Sequence, residues 1–280
     1  MFKYFLAPLE DCSDNALRTL CHRYGADLTF TEMTRVEGLA KRNKATWRRL
    51  EFHDSTPVAV QLLAGKEDQL KRVLTMFKPH QGFQGFNFNL ACPSPDVIKQ
   101  GRGCAMVKRI QKTRKLIKIV KDYGYPISLK IRLGMNELEK SRKVYLNLID
   151  GTDPDFFIIH ARVGTQHYET PADYSVYPEC IDIGKPIIAN GDINTKEKVA
   201  ALKSMGVQGV MIGRFAVRNP AIFNKLKGES VPTIEQLKKE YLKLAEKYNA
   251  PYKYQKNILK RLGQEENKQD TKEEETLSLG

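Results

Sequence analysis

A single tryptophan stands among 280 residues, and the five cysteines are odd in number with no Cys-x-x-Cys spacing. That excludes a fully paired disulfide framework and argues against a zinc or iron–sulfur centre, so no metal is expected. No apolar run approaches the ~20 residues that span a bilayer. The opening MFKYFLAP lacks the basic stretch, long apolar core and cleavage site of a secretory leader. The expectation is a cytoplasmic monomer with reduced thiols and no membrane partner. No Gly-x-Gly-x-x-Gly fingerprint follows a strand-like segment, which removes a Rossmann nucleotide site.

What is abundant is positive charge. The net charge is +13, and the stretch 264–280 holds six acids against two lysines, so the body before it carries +17. Such a body suits a polyanionic partner, nucleic acid first. Lys41, Arg42, Lys44, Arg48 and Arg49 surround Trp47, and further basic runs cover 108–121 and 253–261. Each run reads equally as a phosphate-binding surface or as a solvated helix face.

Eight short apolar runs recur at 5–8, 28–32, 58–62, 86–90, 127–131, 156–160, 186–190 and 209–213. None alternates strictly, which is how strands buried on both faces read. Helical patterns lie between them. Asp14 is placed to cap one helix and Thr195 another, and Leu70, Val73, Leu74 and Phe77 share one face of a third, as do Leu116, Ile119 and Val120 of a fourth. Strand and helix alternating eight times predicts an α/β fold, the (β/α)8 TIM barrel. After Phe223 two amphipathic helices follow without strands, at 233–248 and 254–262. The predicted organisation is a barrel at 1–227, a small C-terminal helical appendage at 228–263, and an acidic, disordered tail at 264–280.

Barrels of this kind gather their chemistry at the C-terminal ends of the strands. Those ends carry Pro8, Glu32, Gln61, Asn89, Lys130, His160, Asn190 and Gly213-Arg214. Lysine and histidine after ISLK and FIIH are costly to bury without a partner, and together these residues predict a lined pocket. PIIANGD and GVMIGR each place a glycine after a buried strand and before a helix, a device for a phosphate, with Arg214 adding a charged fork. Asp192 is read either as a helix cap or as a cofactor contact, and His160 either as a ligand to phosphate or substrate or as a satisfied core residue. The loop Asn89-Leu-Ala-Cys-Pro-Ser-Pro holds Cys92 at the mouth between stiffening prolines, where a protonated thiol can act as a general acid. Gly101-Arg102-Gly103 reads as a hinge or a phosphate contact.

In order along the chain, LAPLEDCSDNALR, FTEM, VQLLAG, NLACPSPDVIKQGRGCAMVKR, SLKIRLG, HARVGTQHYETPADY, NGDI and GVMIGRFAVRNPAIF resemble the segments of the tRNA-dihydrouridine synthase family. Three positions depart from its pattern: Leu9 stands for Met, Asp11 for Gly and Ala91 for Gly. The resemblance implies FMN as cofactor, NADPH as electron donor and tRNA as substrate, with the C5=C6 bond of uridine reduced. Carried onto this chain, Pro8, Leu9, Glu10, Gln61, Lys130, His160, Asn190, Gly191, Asp192, Gly213 and Arg214 hold FMN. Cys92 is the catalytic acid, and Asn89 and Arg162 face the uracil. Rival readings are a flavin-dependent dihydropyrimidine or dihydroorotate reductase acting on a free base, a non-catalytic RNA-binding barrel, and an aldolase or isomerase using Lys130 as a Schiff base.

Overall fold

The computed structural model describes residues 1–264, so the acidic tail expected at 264–280 lies outside the described residues except for Gln264. Nine strands form one sheet: β1 (Lys3–Leu6), β2 (Thr29–Phe30), β3 (Thr34–Arg35), β4 (Val58–Leu63), β5 (Phe83–Leu90), β6 (Ile127–Arg132), β7 (Phe157–His160), β8 (Ile187–Asn190) and β9 (Gly209–Ile212). Neighbours follow the order β1, β9, β8, β7, β6, β5, β4, β2, and β3 also lies along β4. All the pairings are parallel. Phe5 bridges Leu28, and the Leu6 amide donates to the Leu28 carbonyl at 2.9 Å, which joins β1 back to the start of β2. The fold is therefore the expected (β/α)8 barrel, with β2 and β3 acting as one interrupted strand.

Each apolar run falls on a strand because parallel strands under a helical coat are apolar on both faces. The inward faces then change character along the barrel axis. Phe5, Phe30, Ala59, Ile158, Ile188 and Met211 form a dry plug. Burying each of its large side chains stabilises the fold by roughly 1.5–3 kcal/mol. Two residues further along their strands come Gln61, His160 and Asn190, one period-two step from apolar to polar. That step marks the mouth.

The helices close the outside as their patterns predict. The helix Glu67–Met76 buries Leu70, Val73 and Leu74, and Ile110–Asp122 buries Leu116, Ile119 and Val120. Asp14 accepts from the Leu17 amide and Thr195 from the Lys198 amide, both as N-caps. The C-terminal helices are Ile234–Lys247, opened by a Thr233/Gln236 capping box, and Tyr252–Arg261. They are fastened to the barrel: the Tyr24 hydroxyl donates to Glu240 at 2.6 Å and the Tyr248 hydroxyl to Asp54 at 2.7 Å. Among the described residues no helix is long and apolar enough to cross a membrane.

Candidate active site

The strand ends open into a cleft. Its walls include the fourteen residues assigned to cofactor, acid and uracil, from Pro8 to Arg214, whereas Glu32, also expected there as a strand end, does not line it. Strand order explains the gathering, since residues far apart in the chain end side by side when eight parallel strands stop at one rim.

Lys130 reaches this cleft from β6 and is 9% exposed, and no hydrogen bond within the described residues engages its ammonium. Burial, reinforced by Arg132, lowers its pKa to about 7. A buried cation left without a partner is costly, so the site is built for an anion or acceptor from outside the chain.

Cys92 is 5% exposed, and burial pushes its thiol above the ordinary range. Its loop is clamped from both sides. Asn89 Oδ1 accepts from the Ala91 and Cys92 amides at 2.9 and 2.8 Å, and the Cys92 carbonyl accepts from the Cys104 amide at 2.9 Å. A Cβ at Gly103, whose φ is +53°, would overlap the Cys92 carbonyl. Arg102 between the two glycines is buried and paired with Glu37. The Gly101–Gly103 turn is thus a clasp on the thiol loop, which corrects its reading as a hinge or phosphate contact.

Gln61 and Asn89 belong to a chain of amides. Asn89 Nδ2 donates to Gln61 Oε1 (2.9 Å), Gln61 Nε2 to Asn87 Oδ1 (2.8 Å), and Asn87 Nδ2 to Ser128 Oγ (2.9 Å). The relay fixes which end of each amide carries N–H and which carries oxygen. It leaves each cleft-lining amide one further N–H for a ligand.

On the opposite wall, Asp192 Oδ1 accepts from Arg214 at 3.0 Å, and Oδ2 accepts from Arg162 and from the Ala172 amide. The helix-cap reading of Asp192 is therefore wrong: Thr195 caps that helix, and the Asp192 carboxylate is held by two guanidiniums. Arg162 has no exposed surface and also donates to the Thr170 and Tyr168 carbonyls and to His160 Nε2 at 3.0 Å. A guanidinium only donates, so Nε2 accepts and the imidazole proton sits on Nδ1. Burial and the surrounding cations hold His160 well below its usual pKa, so it is a neutral donor. Gly191, at φ +120°, passes so close that a Cβ would lie 2.8 Å from Ala172 Cβ and 3.2 Å from the His160 ring. Gly213 is unlike it, because a Cβ there would make ordinary contacts at 3.4 Å or more.

At the lip, Arg49 Nη1 contacts Glu10 at 2.7 Å and Glu32 at 3.3 Å. Arg49 is thus turned inward, which corrects its place in the phosphate-facing stretch, whereas Lys41, Arg42, Lys44 and Arg48 are exposed. Trp47 is half-buried, its indole N–H donating to the Leu39 carbonyl at 3.0 Å. Burial and the neighbouring Glu10 raise the Glu32 pKa to about 7. Glu32 lines a separate cavity beyond this wall. The carboxylates of Glu10, Asp11 and Glu32 lie within 4.8 Å of one another. Two cations, Arg49 and Lys253, bond to them.

Two polar wall residues, Arg132 and Tyr168, have no role assigned from the sequence. Arg132 follows Lys130 by one period-two step, a signal that was available, and donates to the Val163 carbonyl at 2.8 Å. Tyr168 carries the Arg214 guanidinium 3.9 Å above its ring. It sits in a loop with no periodicity, so only the folded chain reveals it.

These groups fit a flat, anionic, nucleotide-like cofactor. The partnerless Lys130, the neutral His160 donor and Arg214 supply positive or donating edges, the amide relay supplies polar contacts, and Leu9, Met33 and Met211 supply apolar surface.

Comparison with known proteins gives a consistent picture. A family model described as dihydrouridine synthase matches residues 5–274. A Xenopus tropicalis protein named "tRNA-dihydrouridine(47) synthase NAD(P)(+)-like" is 30% identical over 230 residues, covering 80% of this chain and 36% of the relative. "tRNA-dihydrouridine synthase B" of Pseudomonas putida is 29% identical over 238 residues, covering 81% and 70%. The chain thus spans about a third of the length of the first of these relatives. Among solved structures, TcOYE with pHBA aligns with a TM-score of 0.56 at 13% identity, over 89% of this chain and 94% of that one. Morphinone reductase in complex with tetrahydroNAD aligns at 0.53 and 10%, over 85% and 90%. At such identities these two speak for the barrel fold alone.

Proposed function

The chain belongs to the dihydrouridine synthase family, and from that premise we propose that it reduces the C5=C6 bond of uridines in tRNA with FMN as cofactor and NADPH as electron donor. The observation that carries the proposal is a buried thiol, Cys92, and a buried cation, Lys130, on the walls of one cleft at the strand ends. Bound there, reduced FMN supplies the hydride for C6 of the uracil.

The chain's own groups do the rest. Cys92, kept protonated by burial, delivers a proton to C5. Lys130 and the Gln61–Asn89 relay hold the polar edge of the cofactor, and Pro8, Leu9 and Glu10 border it. Gly191, Asn190, Gly213 and Arg214 receive its phosphate. Asp192 aims Arg214, and Arg162, sealed behind His160, fixes the tautomer that presents Nδ1–H. Asn89 sets the thiol loop through the Cys92 amide. A uridine in folded RNA must leave its stack to enter, which costs a few kcal/mol.

The cations Lys41, Arg42, Lys44 and Arg48 are exposed, and we assign them, with the helical segment 228–263, to the RNA backbone. Binding is then expected to weaken steeply with salt. Lys41→Ala with Lys44→Ala should lower the slope of log affinity against log salt by roughly 2, about one for each phosphate that is no longer neutralised. An unchanged slope would remove these residues from the interface.

The decisive experiment incubates the protein with FMN, NADPH and unmodified tRNA, and maps the RNA by mass spectrometry. A gain of two hydrogens at particular uridines is expected, with free uracil or orotate left unreduced. Reduction of the free base alone would assign the site to the pyrimidine reductases instead.

A further inference from the structure

Asp11 stands where the left-handed backbone region is occupied, at φ +53°, in the turn that follows the cleft-lining residues Pro8, Leu9 and Glu10. A side chain is disfavoured in that region, and an aspartate there needs support. The support comes from one helix, Tyr252–Arg261. Lys253 Nζ bonds Asp11 Oδ2 at 2.6 Å, and Asn257 Nδ2, one turn on, donates to the Asp11 carbonyl at 3.1 Å. The aspartate of this pair is 15% exposed and the lysine 68%. The turn itself is tight: the Cys12 and Ser13 amides donate to the Leu9 carbonyl at 3.2 and 3.0 Å, and the Leu9 amide donates to Ser13 Oγ at 2.7 Å.

Charge makes the contact more than a tether. Glu10, Asp11 and Glu32 crowd three carboxylates into one patch. Arg49 spans two of them from the barrel side, and Lys253 answers the third from the C-terminal helix. Like charges at such separations repel unless each is countered. Lys256, on the same helix and exposed, makes no such contact.

We propose that Lys253 is a positioning residue which, through Asp11, holds the 8–11 lip of the cleft, so that the seating of the C-terminal helix sets the wall against which the cofactor binds. The link to the cofactor rests on the FMN reading above. The holding of the lip does not.

The test compares two charge reversals on one helix, Lys253→Glu and Lys256→Glu, with Lys253→Gln as a milder variant that adds no charge. Two quantities are read: FMN affinity by fluorescence titration of the flavin-free protein, and amide hydrogen exchange at Cys12 and Ser13. Lys253→Glu is expected to weaken FMN binding roughly tenfold, the size of one coupled pair, and to speed exchange at both amides. Lys253→Gln should follow in the same direction, Lys253→Arg should restore both readouts, and Lys256→Glu should stay within about twofold. Combining Asp11→Asn with Lys253→Glu should recover part of the loss. Equal exchange in the Lys253→Glu and Lys256→Glu variants would overturn the proposal. Altered exchange with unchanged FMN affinity would overturn its claim on the cofactor wall. Failure of the unaltered protein to take up FMN, with exchange still altered, would instead sink the flavin reading and leave the lip-holding role standing.

Discussion

Cys92→Ala is expected to keep its flavin and lose roughly 10²- to 10⁴-fold in turnover of uridine, the range for removal of a general acid. Only the half-reaction that needs a proton on carbon should suffer. Reduction of the bound flavin by NADPH should proceed at its former rate, and its reoxidation by tRNA should become slow. Folding should be little disturbed, because truncation removes one atom from a buried site at about 1 kcal/mol, and the loop is held through backbone groups. Asn89 grips the amide of residue 92 and the Cys104 amide grips its carbonyl, contacts that survive the change. Cys92→Ser should recover little, since a hydroxyl holds its proton far more tightly than a thiol.

The pH profile follows from the same burial. The thiol is pushed above its ordinary range, chiefly by desolvation, while the Ser94 amide pulls it part of the way back. The reactive form is the protonated one, so the rate of reoxidation should be level through neutrality and fall only as pH passes the raised pKa, beyond the ~8.5 of a free cysteine. Stopped-flow oxidation of reduced protein by tRNA across pH 6 to pH 10 reads this directly. Normal reoxidation by the Cys92→Ala variant would place the acid elsewhere.

Where the sequence was legible, one local rule governed each position. The strands could be read because burial on both faces leaves an unbroken apolar run. The inward polar residues could be read because they end such runs. The limits have equally specific causes. β5 starts at Phe83, three residues ahead of its apolar run, because Gly85 at φ +131° carries an irregular step in the strand. The second strand breaks after Phe30 because Thr31 Oγ1, a side chain, accepts the Gln61 amide at 3.0 Å. Arg49 looked like its basic neighbours, and only tertiary packing shows that Glu10 and Glu32 turn it inward. Arg162 lies two residues from His160 in the chain, which cannot reveal that it stands behind the imidazole. Asp192 had a short-range reading as a cap and a long-range one as an arginine partner, and no local pattern separates them.

Lys130→Met should separate what serves binding from what serves stability. In the flavin-free protein the ammonium is buried without a hydrogen-bond partner, and its pKa falls from the usual ~10.4 of an exposed lysine to about 7. Between those values the unfolded chain holds a proton that the folded chain lacks, so this residue makes stability rise with pH across that window. Below pH 7 both forms are charged and the folded state bears the whole desolvation penalty. Methionine removes the penalty and nearly conserves the volume. The flavin-free variant is therefore expected to melt at a higher temperature than the unaltered protein, by the largest margin near pH 6 and by a vanishing one towards pH 10. Its affinity for FMN should drop roughly 10- to 100-fold, the weight of one hydrogen bond from a charged donor. Ligand binding stabilises only the form that binds, so the order of melting temperatures should narrow or reverse as FMN is raised. Calorimetry of both proteins, with and without FMN, reads all three trends. A variant that is less stable without FMN at pH 6 would mean that the ammonium is answered within the chain, and that the cleft does not depend on a ligand to neutralise its floor.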